Sequence, residues 1–144
     1  MDENKQEKKV LGRDDFLNMP EPEIREHFCK ALNATVYLKE IDALDYENYT
    51  RSLLEFKTDK NGNTSFEYRP EGMRLKFLVR CLCDANGNRL FKEDEYELLG
   101  HTLSGRNSRA VQELYEKSVE INGGNEEDLE KNLNTDQEGG SNSD

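Results

Sequence analysis

Apolar positions are densest between Met73 and Phe91, where Met73, Leu75, Phe77, Leu78, Val79, Cys81, Leu82 and Cys83 crowd too closely for a single stripe. At about 100° per residue such a run is buried over most of its circumference, so the pattern predicts a central helix around which the rest packs. Lys76, Arg80 and Asp84 recur at i, i+4 and i+8, predicting one solvated charged strip with an Arg–Asp neighbour pair. Pro70 suits the first helical turn because it has no N–H to leave unpaired there. Asn86-Gly87 tolerates the positive φ that ends a helix, and Leu90 and Phe91 bring the chain back to apolar surroundings.

The flanking patterns supply elements for this hub to pack against. Behind an Asp42 cap, Tyr46, Tyr49, Leu53 and Phe56 recur at helical spacing and predict a helix over 43–57. Lys92–Leu99 reads as a short helix carrying Tyr96 and Leu99 and ending at Gly100. Ser104 can cap a helix over Gly105–Asn122, in which Val111, Leu114, Tyr115, Ser118, Val119 and Ile121 lie opposite Glu113, Glu116 and Glu120. Asn122-Gly123-Gly124 ends it, and Asn125 caps a short acidic helix over Glu126–Asn132. Upstream, Thr35–Ile41 is rich in β-branched and aromatic residues and reads as a strand. Glu23–Leu32 is ambiguous: Ile24, Phe28 and Leu32 fit a helix, which the pattern alone favours slightly, but Ile24, Phe28 and Ala31 also permit an extended partner for 35–41. Arg13–Leu17 allows one helical turn before Pro20 and Pro22, and Thr64–Tyr68 reads as extended or mobile.

The expected fold class is therefore mainly α within an α+β frame: a small helical domain with a short N-terminal β-hairpin. Residues 1–12 are read as a disordered N-terminus, 13–132 as one domain and 133–144 as a disordered polar tail, since neither end has enough apolar content to bury.

Charge narrows the possible partners. A net charge of −11 over 144 residues disfavours a nucleic-acid backbone, whose binding needs clustered Lys and Arg to release counterions. Arg69, Arg74, Lys76, Arg80, Arg89 and Lys92 make the middle locally basic, which keeps open a regulatory or adaptor domain of a nucleic-acid machine. No apolar run approaches the roughly 20 residues needed to cross a bilayer, and Met1–Lys9 has no hydrophobic core, so a cytosolic protein without a membrane partner is expected.

Candidate chemistry is sparse. Cys29, Cys81 and Cys83 are an odd set; on a helix Cys81 and Cys83 point apart and cannot bridge, so buried thiols are expected. His27 and His101 stand at no zinc-ligand spacing from a cysteine. Asp59–Asn63 and Asp84–Asn88 share the pattern D-x-N-G-N, but counted as calcium loops from their aspartates they place Thr64 and Arg89 where glycine is required. Both read as Asn-Gly turns. No nucleophile elbow, H-E-x-x-H, Walker loop or G-x-G-x-x-G occurs, and Glu93, Asp94 and Glu95 sit where carboxylates complement a helix dipole. The expectation is a protein that is not an enzyme, with no catalytic, cofactor-binding or metal residues, no cofactor, and an unassigned partner surface.

The second half, RLKFLVRCLCDANGNRLFKEDEYELLG followed by Leu103–Asn122 and GGNEEDLEKN, resembles the tail assembly chaperone family of long-tailed, siphovirus-type phages. There a helix is followed by D-x-x-G-x-x-L-F, a short acidic helix with L-G, a longer helix ending in N, and an acidic closing segment. Asp84, Gly87, Leu90, Phe91, Leu99, Gly100, Asn122, Glu126, Glu127, Asp128, Lys131 and Asn132 stand at those places, and T-V-Y-L-K-E-I resembles the family's first strand. That strand tips 26–41 toward a hairpin. Thr58–Tyr68 has no counterpart in the pattern, and Asn33-Ala34 stands where the family has Gly-Gly. The resemblance implies a chaperone that binds the long, helical phage tape-measure protein in the host cell cytoplasm and leaves before the virion is complete. The tail-tube protein is a second implied partner, and self-association is a corollary, because such proteins must cover a long partner. The side of the hub helix left open between the 43–57 and 105–122 helices is the surface expected to receive it.

Overall fold

The structure, a computed structural model, describes residues 8–124. Its elements run α1 (Arg13–Leu17), β1 (Ile24–Cys29), β2 (Ala34–Lys39), α2 (Ala43–Arg51), β3 (Leu54–Thr58), β4 (Thr64–Tyr68), α3 (Met73–Cys81), β5 (Leu82–Cys83), α4 (Tyr96–Thr102) and α5 (Arg109–Ile121). Short 3-10 turns at Glu93–Glu95 and Gly105–Ser108 lead into α4 and α5.

Strands β1 and β2 pair antiparallel with Ile24 opposite Lys39 and Cys29 opposite Ala34. The Lys30–Asn33 turn between them puts Asn33 at φ 51°, a left-handed conformation that asparagine tolerates better than most residues. On the far side of β2, β5 adds Leu82 opposite Leu38, giving the order β1-β2-β5. The inner face of this sheet carries Cys29 and Leu38, both fully buried, with α5 packed on β1 and β2. Helix α3 is covered on several sides: Phe77 packs edge-on against Tyr49 of α2 at 5.0 Å and against Tyr115 of α5 at 5.9 Å. Such edge-to-face aromatic pairs contribute beyond the area they bury.

The expectation of a mainly α domain is overturned. Helix accounts for 43% of the described residues and strand for 21%, a mixed α+β fold with five helices and two small sheets. Two helices stop earlier than their apolar periods suggested. The hub helix ends at Cys81 because Leu82 turns extended, at ψ 123°, to pair with Leu38, so Cys83 lies on a strand. Helix α2 ends at Arg51, and Leu54–Thr58 pairs instead with Thr64–Tyr68, Phe56 facing Phe66. Phe56 satisfies the helical period from Leu53 and the strand period from Leu54 at once, and cross-strand pairing decides between them.

Smaller corrections follow the same logic. Segment 24–29 is a strand. Pro70 stays outside α3, accepting the Met73 N–H at 3.0 Å, while Gly72 at φ 75° is the residue before the helix. Gly100 lies inside α4, where a Cβ would come within 2.8 Å of Leu75. Ser104 precedes a 3-10 turn and makes no side-chain cap. Asn86-Gly87 is no helix end: the Asp84 carboxylate accepts from the Asn86 and Asn88 N–H groups at 2.9 and 3.0 Å. Asp59 does the same for Asn61 and Asn63 at the tip of β3–β4, so the repeated D-x-N-G-N is one turn used twice. The disordered ends of the sequence reading, apart from residues 8–12, together with the helix over Glu126–Asn132, lie outside the described residues.

Gly87 sits at φ 85°, and a Cβ there would fall 2.9 Å from Ile24 Cδ1. Gly62, its twin, is at φ 82° in open space. Gly87→Ala is expected to lower unfolding free energy in urea by about 1–3 kcal/mol and Gly62→Ala by distinctly less; equal losses would contradict the packing of this turn on β1.

Candidate functional site

The charged strip of the hub does not face water. Arg80 is 2% exposed. Its Nη2 donates to Glu93 at 3.1 Å, its Nη1 to the Lys76 carbonyl at 2.9 Å, and its Nε lies 3.4 Å from the Asp45 carboxylate. Arg89, beyond the turn, donates to the other oxygen of Asp45. The expected partner Asp84 is engaged in its own turn instead. Burial pushes the Arg80 pKa down, with Glu93 opposing that shift. The basic middle therefore spends a central cation internally, which weakens it as a surface for nucleic acid.

The hub also shows no open apolar side between α2 and α5. The stack of Tyr49, Phe77 and Tyr115 fills that space, and Phe77, Leu78, Val79 and Cys81 are all at most 1% exposed. What opens beside α3 is a cleft of about 440 Å³ lined by Arg51, Ser52, Lys76, Arg80, Glu93 and Tyr96 among others. Lys76 donates to the Ser52 carbonyl at 2.9 Å and lies 5.1 Å from the Tyr96 ring centroid. Burial lowers its pKa. Of its cations, Lys76 and Arg80 already have protein partners.

The thiols are poor nucleophiles where they stand. Burial pushes Cys81 up to about 12, and burial also raises Cys29 and Cys83. All three are free thiols. Among the described residues no group of three His, Cys, Asp or Glu side chains could hold a metal ion, and no helix is long and apolar enough to cross a membrane. His101 is exposed in the last turn of α4. His27, which the sequence left without a role, meets Glu113 of α5 at 2.8 Å, and Glu113 also accepts the Lys30 N–H at 3.1 Å. This ties the β1–β2 turn to the helix beneath it.

Besides others such as Leu44, Leu90 and Leu98, exposed apolar side chains form three groups. Phe16, Leu17 and Met19 stand out on and just after α1. Phe28 and, more modestly, Ile24 lie on the outer face of β1, opposite the face that carries Cys29. Phe56 and Phe66 face each other on β3–β4, 5.9 Å apart. Clustered exposure of this kind marks contact surfaces. Only the residue spacing of β1 hinted at its share, and nothing in the helical reading of 43–57 exposed Phe56.

Comparison of the chain with known protein families, characterised proteins and solved structures finds no match.

Burial pushes the Glu113 carboxyl up, but the hydrogen bonds from His27 and from the Lys30 and Ala31 N–H groups outweigh it and hold its pKa below the usual value. A depressed carboxyl stabilises the fold above its unfolded pKa and loses that contribution as pH falls through its folded pKa. Wild-type stability, followed by urea unfolding, is expected to drop as pH falls below the ordinary glutamate range, and Glu113→Gln to flatten that drop. An unchanged slope in the variant would remove this pair from the account.

Proposed function

We propose that the chain is a non-enzymatic phage tail assembly chaperone, which holds the tape-measure protein in the host cytoplasm while the tail tube assembles around it. The observation that carries the reading is the joint order of Asp84, Gly87, Leu90, Phe91, Leu99, Gly100 and Asn122. All but Leu90, whose side chain is exposed, have a structural role, and those roles belong to one architecture. Asp84 and Gly87 build the turn against Ile24, Gly100 lets α4 approach Leu75, and Asn122 accepts the Ile41 N–H at 2.9 Å while donating to the Ser118 carbonyl at 2.8 Å.

The outer face of β1 and the α1 segment offer apolar contacts suited to the apolar stripe of a long amphipathic helix. The net charge of −11 keeps such a complex soluble by self-repulsion between particles. Burial of Arg80 and of all three thiols favours a binding role over nucleic-acid contact or nucleophilic chemistry.

The test is affinity capture of the tagged chain from cells carrying the source phage or prophage, with identification of what co-purifies by mass spectrometry. A very long, helix-rich phage protein, with or without the tube subunit, is the expected result. Recovery of a polymerase, a repressor or nucleic acid, released by salt, would overturn the reading. Phe28→Ser, on the exposed face of β1, is expected to reduce the long partner's recovery while leaving the melting temperature close to wild type.

A further inference from the structure

The cleft beside α3 carries charge that the fold leaves unmatched. Ser52, Lys76 and Tyr96 line its half-buried part, while Arg51, Glu93 and Asp94 stand exposed at its mouth. Arg80 is paired with Asp45 and Glu93. Among the described residues, neither Arg51 nor Lys76 has a carboxylate partner. With Arg80 set against Glu93, the cations Arg51 and Lys76 face the single carboxylate of Asp94. The cleft therefore keeps one uncompensated positive charge in a chain whose net charge is −11.

Lys76 is held in place there. Its Nζ donates to the Ser52 carbonyl at 2.9 Å and lies 5.1 Å from the centroid of the Tyr96 ring. That ring is wedged in turn against Gly72, where a Cβ would come within 2.9 Å of its Cε2. An ammonium has three N–H donors, and satisfying the Ser52 carbonyl at the end of α2 occupies one of them. Capping α2 accounts for the position of Lys76 but not for its remaining donors. Burial lowers the Lys76 pKa against the opposing pull of Glu71, and Arg80 adds to the lowering, so an anion seated beside it would reverse the shift. The Arg51 guanidinium bonds to no described residue and is free to close on such an anion.

We propose that this cleft binds a monocarboxylate with an apolar body, the carboxylate between Lys76 and Arg51 and the body against the Tyr96 ring. Charge selects a monoanion: a single negative charge neutralises the site, whereas a phosphate dianion would exceed it in the presence of Asp94 and Glu93. Arg51 offers the planar fork that a carboxylate accepts, and Lys76 supplies a fixed point charge. The surface lining the cleft is mostly carbon, and its volume of about 440 Å³ is of the size that takes a small organic ligand oriented by a few convergent polar groups. The same chemistry is carried by a free apolar acid and by the terminal carboxylate of a peptide that ends in an apolar residue. The proposal is independent of the chaperone reading.

Nuclear magnetic resonance titration of the full chain with phenylacetate, following the Tyr96 ring and the Lys76 Cε signals, tests it. Saturable shifts are expected, with binding that weakens as salt rises and a Lys76 pKa that climbs in the complex, which a lysine serving only to cap α2 would not show. Arg51→Gln, at an exposed position, is expected to weaken binding by about fivefold or more at an unchanged melting temperature. Arg106→Gln, outside the cleft, is expected to leave it as in wild type. N-acetylphenylalanine carries the same two groups as a chain terminus, and the tighter binder of the two acids identifies a peptide end or a free acid as the source. No saturable shift with either acid, equal binding of the uncharged phenylacetamide, tighter binding of inorganic phosphate, or indifference to Arg51→Gln overturns the proposal.

Discussion

A buried guanidinium joins four parts of this chain. Arg80 projects from α3 into a site where Asp45 of α2, Glu93 of the 3-10 turn before α4 and the Lys76 carbonyl of its own helix meet its nitrogens. Asp45 is shared with Arg89, which follows the Asp84–Asn88 turn. The Arg80 guanidinium also lies 5.9 Å from the Tyr49 ring centroid. A charge taken this far from water is costly unless its pairing geometry is good, so the segments supplying its partners cannot shift independently. The aromatic stack of Tyr49, Phe77 and Tyr115 then falls in the register that this joint sets.

With α2, α3 and the Arg89 segment fixed, the rest is arranged around two consequences. Leu82 and Cys83 leave α3 directly into the sheet, so the short β5 locks the hub to β2. The apolar interior is closed on itself, and exposed apolar side chains remain at the periphery, among them those of α1, the outer face of β1 and the β3–β4 hairpin.

Much of this was legible in the residues. The buried face of α5, the Asp42 cap with its 2.8 Å bond from the Asp45 N–H, strand β2 and the twin Asn-Gly turns all follow from local pattern, whereas β1 is ambiguous by pattern and only the family resemblance tips it toward a hairpin. What local pattern missed was decided by contacts distant in sequence. Leu82 continues a helical apolar run, yet its backbone is claimed by Leu38, 44 positions earlier. Phe56 fits two periods, and only the presence of Phe66 across the turn selects the strand. Arg80 at i+4 from Lys76 looks like a surface strip, because nothing near it in sequence announces that Asp45 waits to receive it. For the site the share was smaller: the motif order suggests a class of protein, but the β3–β4 hairpin and the closed hub surface emerge only from tertiary pairing.

The claim that Arg80 and Asp45 act as one joint is tested most directly by a double-mutant cycle. Unfolding free energies in urea would be measured for wild type, Arg80→Met, Asp45→Asn and the combination. A coupling energy of at least about 1 kcal/mol, with the double variant less destabilised than the sum of the singles, is the predicted result. Additivity to within about 0.5 kcal/mol would contradict it and leave the aromatic stack as the organising contact.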